Sequence, residues 1–193
     1  MVEKYIKKVT VEKYNMADKG KLWEEHFKRT WKTQFPQTFI FRLKDDVSGF
    51  KNVAQNPCDF LCLPTKKLFM IECKAHKGAS IPFDAMPQYE RLLDYKDLQN
   101  VNPGFLVWLY EKDIVFWCPA YVAEQIYKSG ERSIGIRHFN DYDIIVLPIE
   151  KKRVNVFPDY SIMLDDKSTE SISIEDKIKN IKYTEDKEVN DDR

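Results

Sequence analysis

Between residues 18 and 34, Leu22, Trp23, Phe27, Thr30 and Trp31 recur at spacings of about three and four. That period marks an amphipathic helix. It predicts a helix from near Lys19 to about Gln34, with Asp18 as its N-cap and Pro36 just past its end. Residues 38–44 (TFIFRLK) read as a strand, and 45–57, with Gly49, Asn52, Asn56 and Pro57, as a loop or protrusion. Residues 58–63 and 67–74 read as two strands joined by a turn at 64–66, hence a hairpin. A loop over 77–81 leads to a helical pattern from Phe83 to about Leu98, carried by Met86, Tyr89, Leu92 and Leu93, with Pro87 in the first turn, where a missing N–H costs little. A second hairpin is predicted from 105–110 and 114–118, then a short helix over 119–128 and late strands at 144–147 and 154–157. This order predicts an α/β fold with a mixed central β-sheet flanked by helices.

The chain of 193 residues has the length of one domain. Residues 1–15 are charged and without a clear period, and predict a mobile arm. From about Leu164 the chain turns polar and charged, so 165–193 is expected to be a disordered tail or at most a short helix. The folded domain is therefore expected over 1–164, with a protruding loop at 45–56. With 43% hydrophobic residues an ordinary core can be buried. No apolar run approaches the roughly 20 residues that span a bilayer. Residues 1–14 lack an apolar signal core, so the expected compartment is the cytoplasm, in a bacterial cell or encoded by a phage growing in one. Cys58, Cys62, Cys73 and Cys118 form no C-x-x-C pair and have no histidine at finger-like spacing, so buried free thiols are expected.

Lysine plus arginine and aspartate plus glutamate both number 31, giving zero formal charge. The tail 165–193 holds 10 acidic and 6 basic residues, which leaves 21 acidic and 25 basic in the body, a net of +4. That excess permits a nucleic-acid partner without requiring one.

The informative segment is Asn56-Pro57-Cys58-Asp59, the hairpin, then Ile71-Glu72-Cys73-Lys74. Alternate side chains of a strand share a face, so Glu72 and Lys74 point one way and Ile71 and Cys73 the other. The partner strand can set Asp59 beside Glu72. Two carboxylates and an ammonium group would then converge on one sheet surface. With a backbone carbonyl and water, two carboxylates suit Mg²⁺, and a nearby lysine can orient water and offset phosphate charge. A lone E-x-K is more often an edge strand with solvated charges. The Pro-x-Asp on the adjacent predicted strand tips the reading towards phosphodiester hydrolysis.

Pro57, Asp59, Glu72 and Lys74 resemble the PD-(D/E)xK nuclease motif. Within that superfamily the chain resembles the RecU-type Holliday junction resolvases, including shorter phage-encoded members. Three further stretches carry the likeness: Lys19-Gly20-Lys21-Leu22-Trp23-Glu24, Ser80-Ile81-Pro82-Phe83 followed by Gln88, and Ser48-Gly49-Phe50 through Asn56-Pro57-Cys58-Asp59-Phe60. Together they span about Lys19 to Trp117. The resemblance implies a restriction-endonuclease-like core and a structure-selective, Mg²⁺-dependent DNA endonuclease, with Mn²⁺ as the alternative ion. Four-way junctions would be the substrate and a homodimer the working form, since two symmetric nicks need two symmetric sites. It also implies that Asp59, Glu72 and the Cys73 backbone carbonyl hold the metal, and that Lys74 serves the attacking water. Gln88 would support the site or contact phosphate, and Glu24 would add a carboxylate from the first helix. Glu25 competes with Glu24, and helix phase decides between them.

The family's protrusion, often basic, enters the junction. Here Arg42, Lys44 and Lys51 are accompanied by Asp45 and Asp46. With Lys77, these three cations are the expected DNA contacts. Other readings keep the chemistry on duplex, flap or single-stranded DNA, or make the chain an inactive DNA-binding relative. His26, His76 and His138 are scattered, and His76 reads as a solvent-exposed residue near the E-x-K strand. Lys66 and Lys67 could extend a basic surface.

Overall fold

The computed structural model describes residues 16–43, 56–152, 155–164 and 182–183. Helix α1 (Met16–Gln34) is followed by strands β1 (Phe39–Arg42), β2 (Phe60–Leu63) and β3 (Leu68–His76). A short strand β4 (Ser80–Pro82) and a 3-10 turn (Phe83–Ala85) lead to helix α2 (Tyr89–Leu93). Strands β5 (Val101–Leu109) and β6 (Ile114–Pro119) precede helix α3 (Ala120–Lys128). The remaining elements are β7 (Ser133–Gly135), β8 (Ile145–Leu147), β9 (Ile149–Lys152), β10 (Asn155–Pro158), a 3-10 turn (Tyr160–Leu164) and β11 (Lys182–Tyr183).

The central sheet has six strands in the order β1-β2-β3-β5-β6-β8. Only β3 and β5 run parallel; the other neighbours are antiparallel, so the sheet is mixed and the fold α/β. Both predicted hairpins form, β2 with β3 and β5 with β6. A parallel pair needs a crossover, and the chain from β4 through α2 supplies it. Small sheets β4–β7 and β10–β9–β11 complete the architecture.

Strand alternation divides the core between the two sheet faces. Phe69, Ile71 and Cys73 of β3 join Phe60, Leu106 and Trp117 in a cluster under α1 and residues 160–164, whereas Met70 joins Phe105, Val107 and Phe116 under α2 and α3. Helix α1 docks through Trp23, Phe27 and Trp31, each at most 1% exposed, and such burial stabilises by about 1.5–3 kcal/mol per side chain. The Trp23 indole N–H donates to the Leu106 carbonyl (3.1 Å), which ties the helix to β5. Gly104 lets β5 and β6 approach: a Cβ there would lie 2.5 Å from the Cys118 carbonyl oxygen and 2.7 Å from the Trp117 ring.

Several expectations are corrected. Helix α1 begins at Met16, so Asp18 lies within its first turn rather than ahead of it. Leu22 is 48% exposed and stands outside the buried stripe. The long helix expected over 83–98 is broken. Met86 precedes proline, which disfavours helical geometry, and it adopts φ −122°, ψ 63°. Pro87 therefore lies between a 3-10 turn and the short α2, and residues 94–100 continue as turns. The loop expected at 77–81 contains β4, paired with β7. In the tail, Lys182–Tyr183 pair parallel to β9 (Lys182 with Glu150, Tyr183 with Lys151), where disorder or a helix was expected. The rest of 165–193, the arm at 1–15 and all of the protruding loop over 45–56 except Asn56 lie outside the described residues. All four cysteines are buried free thiols. No helix among the described residues is long and apolar enough to cross a membrane.

Candidate active site

The β2–β3 hairpin creates the site. Its register pairs Phe60 with Ile71 and Leu61 with Met70, which carries Asp59, just ahead of β2, to the level of Glu72. The Asp59 backbone N–H donates to the Ile71 carbonyl (3.1 Å), and its side-chain Oδ2 accepts from the Cys73 N–H (2.8 Å). Asp59 is thus held at both ends against β3.

The backbone of β3 also presents a carbonyl. Leu68 N–H donates to Asn100 and Tyr110 N–H donates to the His76 carbonyl, so even-numbered β3 residues bond towards β5. In a strand the N–H and C=O of one residue face the same side. Odd-numbered residues therefore face β2, and the Cys73 carbonyl points to the same edge as the Asp59 carboxylate.

Glu72 is 1% exposed. Its Oε1 pairs with Lys74 Nζ at 2.7 Å, while its buried Oε2 has no hydrogen-bond partner. Lys74 Nζ also donates to Gln88 Oε1 at 3.1 Å. Gln88 is the residue that precedes α2, so the break at Met86–Pro87 places this amide over β3. Glu24 of α1 pairs with Arg42 of β1, and its charge acts on both Asp59 and Glu72. It is partly buried whereas Glu25 is exposed, which settles the helix phase in favour of Glu24.

The carboxylates oppose one another's ionisation. Burial, and secondarily the nearby Asp59 charge, push Glu72 up to about 8 against the pull of Lys74. Burial pushes Asp59 up to about 6, with Glu24 adding to the rise; the Cys73 N–H, Lys74 and Arg42 oppose it. Two acids with raised affinity for protons, one with an unpartnered buried oxygen, form a site short of positive charge. A divalent cation answers both deficits. The donors present are the Asp59 carboxylate, Glu72 Oε2 and the Cys73 carbonyl. That set fits Mg²⁺, which binds through one or two carboxylates and keeps several waters. Among the described residues no group of three or more His, Cys, Asp or Glu side chains is arranged to hold a metal, so a cation here depends on the strand carbonyl and water.

The expected DNA contacts divide. Arg42 is committed to Glu24, a pairing across 18 residues that no sequence pattern signalled. Lys77 is exposed and pairs with Glu111 at 3.3 Å. Lys44 and Lys51 lie outside the described residues. His76 is half-buried, with Nδ1 2.8 Å from the Lys77 carbonyl oxygen. His26 is packed between Trp23 and Phe157 and held down at about 4, mainly by burial. His138 is buried, its Nδ1 accepting from the Gly135 N–H. Neither His26 nor His138 belongs to the cluster.

No protein-family model matches the chain, and no curated protein matches it at a significant level.

Proposed function

We propose that the chain is a metal-dependent DNA endonuclease of the PD-(D/E)xK type, with a restriction-endonuclease-like core, acting as a RecU-type Holliday junction resolvase. The observation that carries the nuclease reading is the buried, unpartnered Glu72 Oε2 beside Asp59, with Lys74 Nζ 2.7 Å from the other Glu72 oxygen. Solvated edge charges would not be buried, and a buried carboxylate oxygen ordinarily has a hydrogen-bond partner. The junction substrate, the homodimer and the bacterial or phage cytoplasm rest on the sequence resemblance.

Asp59, Glu72 and the Cys73 carbonyl would hold Mg²⁺, with Mn²⁺ as the alternative. The ion, when bound, supplies positive charge at the phosphate and makes water easier to deprotonate. The residues supply position. Lys74, fixed by Glu72 and Gln88, directs the remaining donors of its ammonium group at the attacking water or a phosphate oxygen. Water adds to phosphorus, a P–O bond to the sugar breaks, and the products are a phosphate monoester and a hydroxyl. Glu24 adds negative field and restrains Arg42 at the rim.

The test compares nicking of a synthetic four-way junction and a matched linear duplex, each with and without Mg²⁺. The proposal predicts Mg²⁺-dependent cleavage with the junction preferred. Equal cleavage of both substrates would keep the nuclease and discard the resolvase. No cleavage of either under any metal would discard both.

A further inference from the structure

On the face that carries Asp59, Glu72 and Lys74, helices α2 and α3 cover the strands from β3 onward, but among the described residues no helix covers β1 and β2. Leu43 and Leu61 pack towards the α2–α3 cluster while Ile40 packs under α1. By alternation, Phe39 and Phe41 therefore lie on the catalytic face. They are 53% and 52% exposed, and Leu63, paired with Phe39, is 42% exposed. The two phenyl rings lie nearly parallel, 12° apart, with centroids 6.4 Å from each other.

The wing is close to the chemistry. Phe41 pairs with Leu61, so Asp59 is its diagonal neighbour across the ladder, at a spacing of about 7–8 Å. That is within the reach of one nucleotide from a phosphate held at Asp59 and Glu72. Positive charge beside the wing suits a polyanion: the hairpin turn that follows Leu63 carries Lys66, which is exposed, and Lys67, and residues 60–70 hold no acid, while Arg42 is paired with Glu24. An apolar protein partner would need neither the cations nor parallel exposed rings. Unpaired bases would use both, because bases stack on aromatic side chains while the backbone follows positive charge.

We propose that Phe39 and Phe41 form a stacking platform for unpaired bases of a DNA strand whose phosphodiester lies at the Asp59–Glu72–Lys74 site. The preferred substrate class is then DNA with unpaired nucleotides beside the cut, such as a flap, a gap or an opened branch point. This inference rests on the nuclease reading and specifies its substrate.

The test measures binding of the full chain to a fluorescent oligo(dT) and to a matched linear duplex by anisotropy in EDTA, where no strand is cut. Both phenylalanines are more than half exposed, so their removal leaves no core cavity, and circular dichroism verifies folding. The double variant Phe39→Ala/Phe41→Ala should lose about 10- to 100-fold in oligo(dT) affinity, the range for losing a stacked base, and less than 3-fold for duplex. Phe41→Tyr should bind as the parent does, whereas Phe41→Leu should lose affinity, since it keeps apolar bulk without a π-face. The inference is overturned if leucine serves as well as tyrosine, or if both DNAs lose affinity equally. It is also overturned if the double variant only converts a dimer into a monomer with the DNA preference unchanged, which would make the wing a self-association surface. A parent that cleaves DNA with no dependence on Phe39 or Phe41 sinks the platform alone. A parent that neither binds nor cleaves any DNA sinks the nuclease reading, and the platform with it.

Discussion

Glu72→Gln should make the metal-free protein more stable while removing its activity. The glutamine keeps the shape, and its amide oxygen still accepts from Lys74, but the buried charge is gone. In the parent, burial and Asp59 lift Glu72 from its ordinary 4.5 to about 8. A displacement of one in pKa is worth ~1.4 kcal/mol, so ionising Glu72 in the empty site costs about 3–5 kcal/mol. The direction follows from linkage. A carboxyl with a raised folded-state value binds its proton more tightly when folded, so its stability contribution is complete below about pH 4.5 and is lost as pH rises to about 8. Asp59 adds a loss of the same sign between its ordinary 3.8 and about 6. The variant and parent should therefore melt together near pH 4 and diverge with rising pH. At pH 8 the variant should melt roughly 6–20 °C higher, at the 2–4 °C per kcal/mol usual for chains of this size. Mg²⁺ should narrow the gap by stabilising the parent, by about 2.7 kcal/mol at one hundred times its dissociation constant, and should leave the variant unmoved. Thermal melts by circular dichroism over pH 4–9, with and without Mg²⁺, read both effects. A variant less stable than the parent at pH 8 without metal would refute the reasoning, since the carboxylate would then be stabilising the empty site.

Lys74→Ala should lower the cleavage rate by roughly 10²-fold or more, as expected for losing an electrostatic or acid–base group. Gln88→Ala should cost only about 10-fold because Glu72 still holds the ammonium; single-turnover kinetics separate the two, and equal losses would mean that Gln88 touches substrate itself. Replacing 45–56 by a tight glycine-containing turn should lower the ratio of junction to duplex cleavage while sparing linear nicking, and an unchanged ratio would place junction selectivity elsewhere. Ending the chain after Leu164 removes the two-residue pairing of β11 with β9 and should leave cleavage within about 3-fold, because little apolar surface is available there to bury. Failure of that truncated chain to fold would make the tail part of the domain.

The site was legible where the signals are local. Turn residues at 64–66 mark the hairpin, and its register brings Asp59 to the level of Glu72. The spacing of Trp23, Phe27 and Trp31 fixes the phase of α1, and with it the choice of Glu24 over Glu25. What escaped depends on distant partners. Strands β4, β7 and β9 are three or four residues long, too short to show a period, and exist because the chain elsewhere offers an edge. Helix α2 was overextended because Leu98 continues the apolar spacing while Met86–Pro87 breaks the backbone. The Glu24–Arg42 pair joins a helix to an edge strand. The exposure of Phe39 and Phe41 follows from how far α2 and α3 extend over the sheet, which no residue of β1 encodes.

The central claim is that Asp59 and Glu72 form one cation-dependent hydrolytic site. It is tested most directly by single-turnover cleavage of a labelled four-way junction by the parent, Asp59→Asn and Glu72→Gln across a Mg²⁺ titration, with DNA affinity measured alongside. The account predicts saturable Mg²⁺-dependent cleavage by the parent and none by either variant, all three binding DNA with similar affinity. Near-normal Mg²⁺-dependent cleavage by either variant would contradict it.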